Sequence, residues 1–460
     1  FKSIKTIRDI TIGDSVTSIA SYAFSDCRGL LSLTIPNSVT SIGSNAFSVC
    51  RGLTSVAIGN SVTSIGSSAF YGCMSLTSVT IGNSFTAIGP SAFYGCTGLT
   101  SATFPNSVTN IGSSAFCGCS GLTSMTIPNS VTSIGSSAFK NCSGLKEFLL
   151  VDGDESLSIG SNSFDNTPIE YVRIGRKLKF SSSSSSSAVS PFSGLSSLRE
   201  AWITDMPTSI PSNLFLNCKT LTNLYVGDNV ETIGESAFSG CSGLKLFTYG
   251  ENLKEIGAKA FIGCPAITDI YAKPLVPPTC ASLALDDLNR WTCTLHVPAA
   301  AASAYGSAEQ WKEFFLVDNN FVVELNKKTI NAETITTYQL DATTSDGQKI
   351  ARWESTNEGV ATVDQAGLVT IVAAGTATIG AFTEDGRMDN CRINVSASGI
   401  ISVKGSEPKD EISIRTENGT IMVADECSED LILTVYDLNG KTVYQGKDRA
   451  VAVERGKPYI

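Results

Sequence analysis

A single histidine, His296, stands in this chain of 460 residues. A Ser-His-Asp or Cys-His relay needs an imidazole held beside its nucleophile, and one histidine in the strand that closes a repeat array argues against both. Zinc needs four clustered ligands, as a rule Cys and His at short spacings. Cys117 and Cys119 with Cys280 and Cys293 offer no such pattern. Sugar hydrolysis needs two carboxylates converging within roughly 5 to 10 Å. The strands from Leu30 to Ile127 carry no acid, and Glu147, Glu170, Glu200 and Asp269 on later strands read as solvated surface charges. The sequence therefore predicts no catalytic residue, no metal ligand and no cofactor.

Most of the fourteen cysteines fall on one period. Cys27, Cys50, Cys73, Cys96, Cys119 and Cys142 are each 23 residues apart. Periodic cysteine is a packing signal first. Rung neighbours about 5 Å apart lie within disulfide reach, but side chains in a parallel stack point the same way, so the column is expected to consist of free, buried thiols. Cys280 and Cys293 lie outside it and are left either bonded to each other or free.

The element that repeats is SVTSIGSSAFYGCMSLTSVTIGN, Ser61 to Asn83, with close copies starting at Ser15, Ser38, Ser84, Ser107 and Ser130. A fixed period with conserved apolar positions is the signature of a solenoid, in which each unit buries its face against neighbours. Leu76, Val79 and Ile81 form the inward side of a strand and Thr77, Ser78 and Thr80 the outward side. Val62 and Ile65 make a second apolar edge, and Ala69, Phe70 and Cys73 fill the core. Twelve such strands can be counted, opening at Ile7, Leu30, Leu53, Leu76, Leu99, Leu122, Leu145, Ile169, Leu198, Leu221, Leu244 and Ile267. The recurring Phe is expected to stack into a spine, with parallel rungs about 4.8 Å apart. The longest step between strands coincides with the seven serines Ser181 to Ser187, expected to form a mobile spacer loop.

Composition bounds the partners. The net charge of −10 argues against nucleic acid and anionic membrane surfaces, and no run of 18 apolar residues offers a spanning helix. A chain beginning at Phe1 without Met reads as a mature or trimmed product.

The pattern L-x-x-V-x-I-P-x-x-V-x-x-I-G-x-x-A-F-x-x-C over residues 1–297 resembles the BspA-type leucine-rich repeat of bacterial surface proteins. That resemblance implies a curved solenoid, exported to the cell surface or secreted, that binds host or extracellular-matrix protein or a surface glycan. Residues 298–320, with Tyr305, Trp311, Phe314 and Phe315, look like a helical cap on the last rung. Short alternating strands over 321–398 predict a β-sandwich, and Trp353, Val360, Ala361, Val363, Gly367, Leu368, Val369, Gly375, Thr376 and Ala377 resemble a bacterial immunoglobulin-like group 2 module. Residues 399–460 carry TVYDLNGKTVYQG, a hairpin with an Asn439-Gly440 turn. They are similar to carboxy-terminal sorting modules, or form another small β-sandwich. The fold class is thus mainly β: a parallel solenoid of about twelve 23-residue repeats followed by two small β-sandwich domains.

The outward position at the middle of each strand reads Thr34, Ala57, Thr80, Thr103, Thr126 and Leu149, then Arg173, Trp202, Tyr225, Thr248 and Tyr271. Clustered surface aromatics often mark contacts. Arg173, Arg199, Trp202, Tyr225 and Tyr271 are therefore the candidate ligand-binding residues, unless they pack under the cap or the serine loop. The expectation is a monomeric, non-enzymatic adhesin-like protein. An accessory or catalytic glycan-processing protein, a structural surface-layer spacer, and an ice-like or self-associating Thr/Ser face are the alternatives.

Overall fold

The computed structural model describes residues 1–180, 190–319, 323–333, 336–345, 347–384 and 387–396, with the backbone of the strands Ile414–Glu417, Thr420–Val423, Leu433–Tyr436, Thr442–Gly446 and Ala450–Ala452. Two compact units result, Phe1–Phe321 and Val322–Ile460.

In the first unit each rung contributes one longer and one shorter strand, paired in parallel with the same strand of the next rung. The longer strands form a three-stranded sheet from Ser32–Ile35 to Ser78–Thr80 and a nine-stranded sheet from Ser124–Ile127 to Leu316–Asp318. The strand lapses at residues 101–104, where Ala102 and Phe104 stand in for the usual Val and Ile, and the Phe104 ring tilts against Phe116 at 5.8 Å. The shorter strands form an eight-stranded sheet ending at Leu178–Phe180 and a four-stranded sheet starting at Ser209–Ile210. The break between these two sheets coincides with the serine run, which lies outside the described residues.

Three columns hold the rungs together. Phe1, Phe24, Phe47, Phe70 and Phe93 stack at 5.4 to 5.5 Å with planes within 7°. Each column thiol donates to a Phe carbonyl 26 residues earlier, as Cys73 Sγ does to Phe47 O at 3.2 Å and Cys241 to Phe215 at 3.2 Å. Cysteine suits this position because it is small, apolar and still a weak donor, adding a second hydrogen bond to a carbonyl that already accepts a backbone N–H, as Phe47 O does from Cys50 N at 3.4 Å. Exposed threonines do the same at the surface, Thr77 Oγ1 donating to Thr54 O at 3.0 Å and Thr109 to Thr86 at 3.2 Å. The described cysteines are all free, Cys280 and Cys293 included, and burial pushes the Cys50 and Cys142 thiols up to about 12.

At the end of the array Tyr305 and Trp311 are buried and Trp311 Nε1 donates to Pro278 O at 2.8 Å. The expected cap is corrected in one residue and in its form. Phe314 is buried, but Phe315 is 68% exposed and pairs with the exposed Trp291 ring at 5.1 Å. The helix shrinks to Ala302–Tyr305 between two 3-10 turns, too short to carry all four rings on one side.

The second unit carries a four-stranded sheet (Thr329–Ala332, Met388–Val395, Gly375–Thr383 and Ile350–Ser355) and a three-stranded one (Thr337–Gln339, Leu368–Ile371 and Ala361–Val363). Their inner faces enclose Trp353, Val369, Ile371, Ile379 and Ile393. Gly367, at φ +84°, has no room for a Cβ, which would lie 2.4 Å from Leu340 O. Leu433–Tyr436 and Thr442–Gly446 pair antiparallel as the hairpin reading expects; the Asn439-Gly440 turn and the side chains of the 399–460 module lie outside the described residues.

Candidate binding face of the solenoid

In the early rungs the longer strands alternate cleanly. Ser32, Thr34, Ser55 and Ala57 are exposed and Leu33, Ile35, Val56 and Ile58 buried. Alternation requires only that one side of the sheet meets the core and the other meets water. From Tyr171–Ile174 to Asp269–Ala272 the outward central residue becomes buried as well.

Register places the candidates. Leu149, Arg173, Trp202, Tyr225, Thr248, Tyr271, His296 and Asp318 are successive partners across the nine-stranded sheet. Arg173, Trp202, Tyr225 and Tyr271 thus share one row, as the spacing of the sequence implies. Their exposures are 6%, 0%, 2% and 4%, so the face that is open hydroxyl surface in the early rungs is buried here. Arg199 stands apart from this row. It precedes the strand Glu200–Ile203, is exposed, and its carbonyl accepts from Thr222 Oγ1 at 2.8 Å.

The row ends in a charge arrangement that the sequence did not reveal. His296 Nδ1 lies 2.8 Å from Asp318 Oδ2 and Nε2 lies 3.0 Å from Asp269 Oδ1, while the Tyr271 ring stacks on the imidazole at 4.2 Å. Only a doubly protonated ring donates to both carboxylates, and in that state no ring lone pair remains to act as a base. The hydrogen bond from His296 holds Asp269 below the usual carboxylate range, against the opposing effect of burial. Of the other carboxylates read as surface charges, Glu170 pairs with Lys146 at 3.1 Å and Glu147 is exposed.

A further column, whose 23-residue spacing is legible in the sequence, is made by asparagine. Asn37 Oδ1 accepts from Asn60 N at 2.7 Å and Asn60 Oδ1 from Asn83 N at 3.1 Å. Asp205 takes the same role toward Asp228 N at 2.7 Å, and its carboxyl is raised by burial and by the neighbouring Asp228. Where the period stretches, Arg176 replaces the column residue. It is fully buried, donating to the carbonyls of Pro128 and Val131 at 2.7 Å and of Asn129 at 2.9 Å. Burial brings it down to about 10. Among the described residues no cluster of His, Cys, Asp and Glu is arranged to hold a metal ion, and no helix is long and apolar enough to cross a membrane.

A bacterial Ig-like domain (group 2) model matches residues 322–390. Among solved structures, the chain is similar to a leucine-rich repeat protein of T. pallidum at 33% identity, covering 33% of this chain and 70% of that one, with a TM-score of 0.31. A leucine-rich repeat protein from Bacteroides ovatus shares 23% identity over 64% of this chain and 86% of that one, TM-score 0.33. A leucine rich cell surface protein from Faecalibacterium prausnitzii shares 24% over 67% and 92%, TM-score 0.32. No curated protein matches the chain. The BspA type leucine rich repeat region model matches over residues 1–96, 63–189 and 177–276, which is the same span that the Phe, Cys and Asn columns organise, and the chain belongs to that family.

Proposed function

We propose that this protein is displayed on a bacterial surface or secreted, and that it binds a host or extracellular-matrix protein or a surface glycan through the outward face of the longer strands, without catalysis. The observation that supports this most is the division of labour within each rung. The inward residues, Phe spine and thiol column account for the stacking, so the outward row is free of the core pattern and varies from Thr34 and Ala57 to Arg173, Trp202, Tyr225 and Tyr271. In a repeat protein such a row is where recognition is built.

Arg199 is the member of the candidate set that is open to a partner. Arg173, Trp202, Tyr225 and Tyr271, at 0–6% exposure, take part in contact only once uncovered. The full chain is to be screened against matrix-protein and glycan arrays beside Arg199→Ala and the Trp202→Ala/Tyr225→Ala/Tyr271→Ala variant. The reading expects a captured ligand and weaker capture by Arg199→Ala. If the full chain captures nothing, the structural spacer takes its place. The sorting role of 399–460 is the finer part of the same proposal, checked by whether its deletion leaves the exported chain undelivered to the surface.

A further inference from the structure

Charge is unevenly divided along the solenoid. Residues 1–146 carry seven Lys and Arg against Asp9, Asp14 and Asp26, a net +4 inside a chain of −10, and residues 27–146 contain no acid at all. Three of these cations lie on one column. Lys5, Arg28 and Arg51 are 23 residues apart and exposed, the latter two each one residue after a column cysteine. Their rungs are in direct backbone contact, since a Cβ on Gly29 would sit 2.4 Å from Lys5 O and one on Gly52 2.5 Å from Arg28 O. Asp26 is their one near carboxylate. The Arg28 guanidinium bonds it at 2.6 Å, and the charges of Lys5 and Arg51 also hold it below the usual carboxylate range. Three cations against one acid, on three rungs spanning about 10 Å, leave a positive ridge.

On the next two rungs the same turn carries aromatic rings. Tyr71 and Tyr94 stack at 4.9 Å with planes 10° apart, and Tyr71 is 39% exposed. Their column is filled by Ser25 and Ser48 in the preceding rungs and by Cys117, bonded to the Tyr94 side chain, in the next. The pair is closed: at 4.9 Å between centroids a nucleobase does not fit between the rings, but the outer ring faces can pack against the C–H surface of a sugar. Cations for anionic groups and aromatic faces for a ring of carbons and hydroxyls, with Asp26 the one acid bonded among them, form a linear arrangement about 19 Å long over five rungs.

We propose that Lys5, Arg28, Arg51, Tyr71 and Tyr94 form a binding ridge for a linear anionic polysaccharide, with its sulfate or carboxylate groups on the cations and a sugar ring against the tyrosines. This rests on the reading of the chain as a surface or secreted binding protein, but uses a different part of it from Arg199. Arg199→Ala therefore leaves this binding unchanged, and failure here does not touch the array screen.

The test is binding of the full chain to a heparin oligosaccharide at low and physiological salt, with inorganic polyphosphate and oligo(dT) as comparison polyanions. The expected result is salt-sensitive binding that drops on the order of a hundredfold at low salt in Lys5→Gln/Arg28→Gln/Arg51→Gln. Tyr71→Ser/Tyr94→Ser weakens the oligosaccharide about five- to tenfold and leaves polyphosphate unaffected. All five positions are on the surface turn, so circular dichroism of each variant is expected to match the parent. No heparin binding, unchanged binding in the triple variant, or oligo(dT) bound as tightly as the oligosaccharide overturns the proposal.

Discussion

At the scale of the residue, two positions show how the rung is closed. Each rung turns through two left-handed residues, the first held by Asn45, Ser68, Ser91, Ser114 and Ser137 and the second by Gly72, Gly95 and Gly118. Val49 occupies the second at φ +61°, a conformation that crowds any Cβ and a branched one most. Val49→Gly, matching its successors, is expected to raise stability by about 1 kcal/mol, read as a shift in the denaturant midpoint at unchanged slope. The thiols make the opposite point. Cys73→Ala removes one of two donors to the Phe47 carbonyl, which keeps the Cys50 N–H, and is expected to cost about 0.5 to 1.5 kcal/mol in the same measurement.

At the scale of the element, the spine is what couples rungs. Phe116 stacks on Phe93 at 5.4 Å and on Phe139 at 5.6 Å. Phe116→Ala opens a cavity expected to cost about 3 to 5 kcal/mol. Because a rung contacts chiefly its neighbours, the loss is local: amide exchange is expected to accelerate around Phe93 and Phe139 and to remain slow around Phe238. Uniform acceleration throughout the unit would show that the spine is not the coupling element. The strands themselves were readable from the sequence, since the inward residue repeats at a fixed offset from Cys and Phe. The lapse at residues 101–104 was less so, because Ala102 and Phe104 preserve the apolar pattern while changing the side-chain shape on which pairing depends.

For the whole molecule, nine column thiols donate to Phe carbonyls, and this makes the fold sensitive to alkali. An unfolded thiol ionises near 8.5, whereas the folded Cys142, Cys218 and Cys264 thiols keep their protons up to about 12. Between those values the folded chain binds more protons than the unfolded one, so stability falls as pH rises. Each such thiol steepens the fall by about 1.4 kcal/mol per pH unit, and Cys142→Ala is expected to lessen the slope by that amount between pH 9 and 11. At the other end of the scale, the Asp269 carboxyl is held low by His296; its contribution is full above the ordinary Asp range and is lost as pH falls through its depressed folded value. Asp269→Asn is expected to flatten the acid limb and leave the alkaline one unchanged.

The sequence by itself determined the rung, its two faces and its core, because stacking a 23-residue unit turns local spacing directly into contacts between rungs: Phe meets Phe, and Cys meets the carbonyl one rung back. It also placed Arg173, Trp202, Tyr225 and Tyr271 in a common row. Only the tertiary structure decided that this row is buried while Arg199 is not, since an outward position in a strand says which way a side chain leaves the sheet and nothing of what surrounds it. The clamp on His296 by Asp269 and Asp318, and the buried Arg176 reaching Pro128 and Val131, depended likewise on contacts made where the period breaks or ends. There the spacing no longer predicts which residues meet.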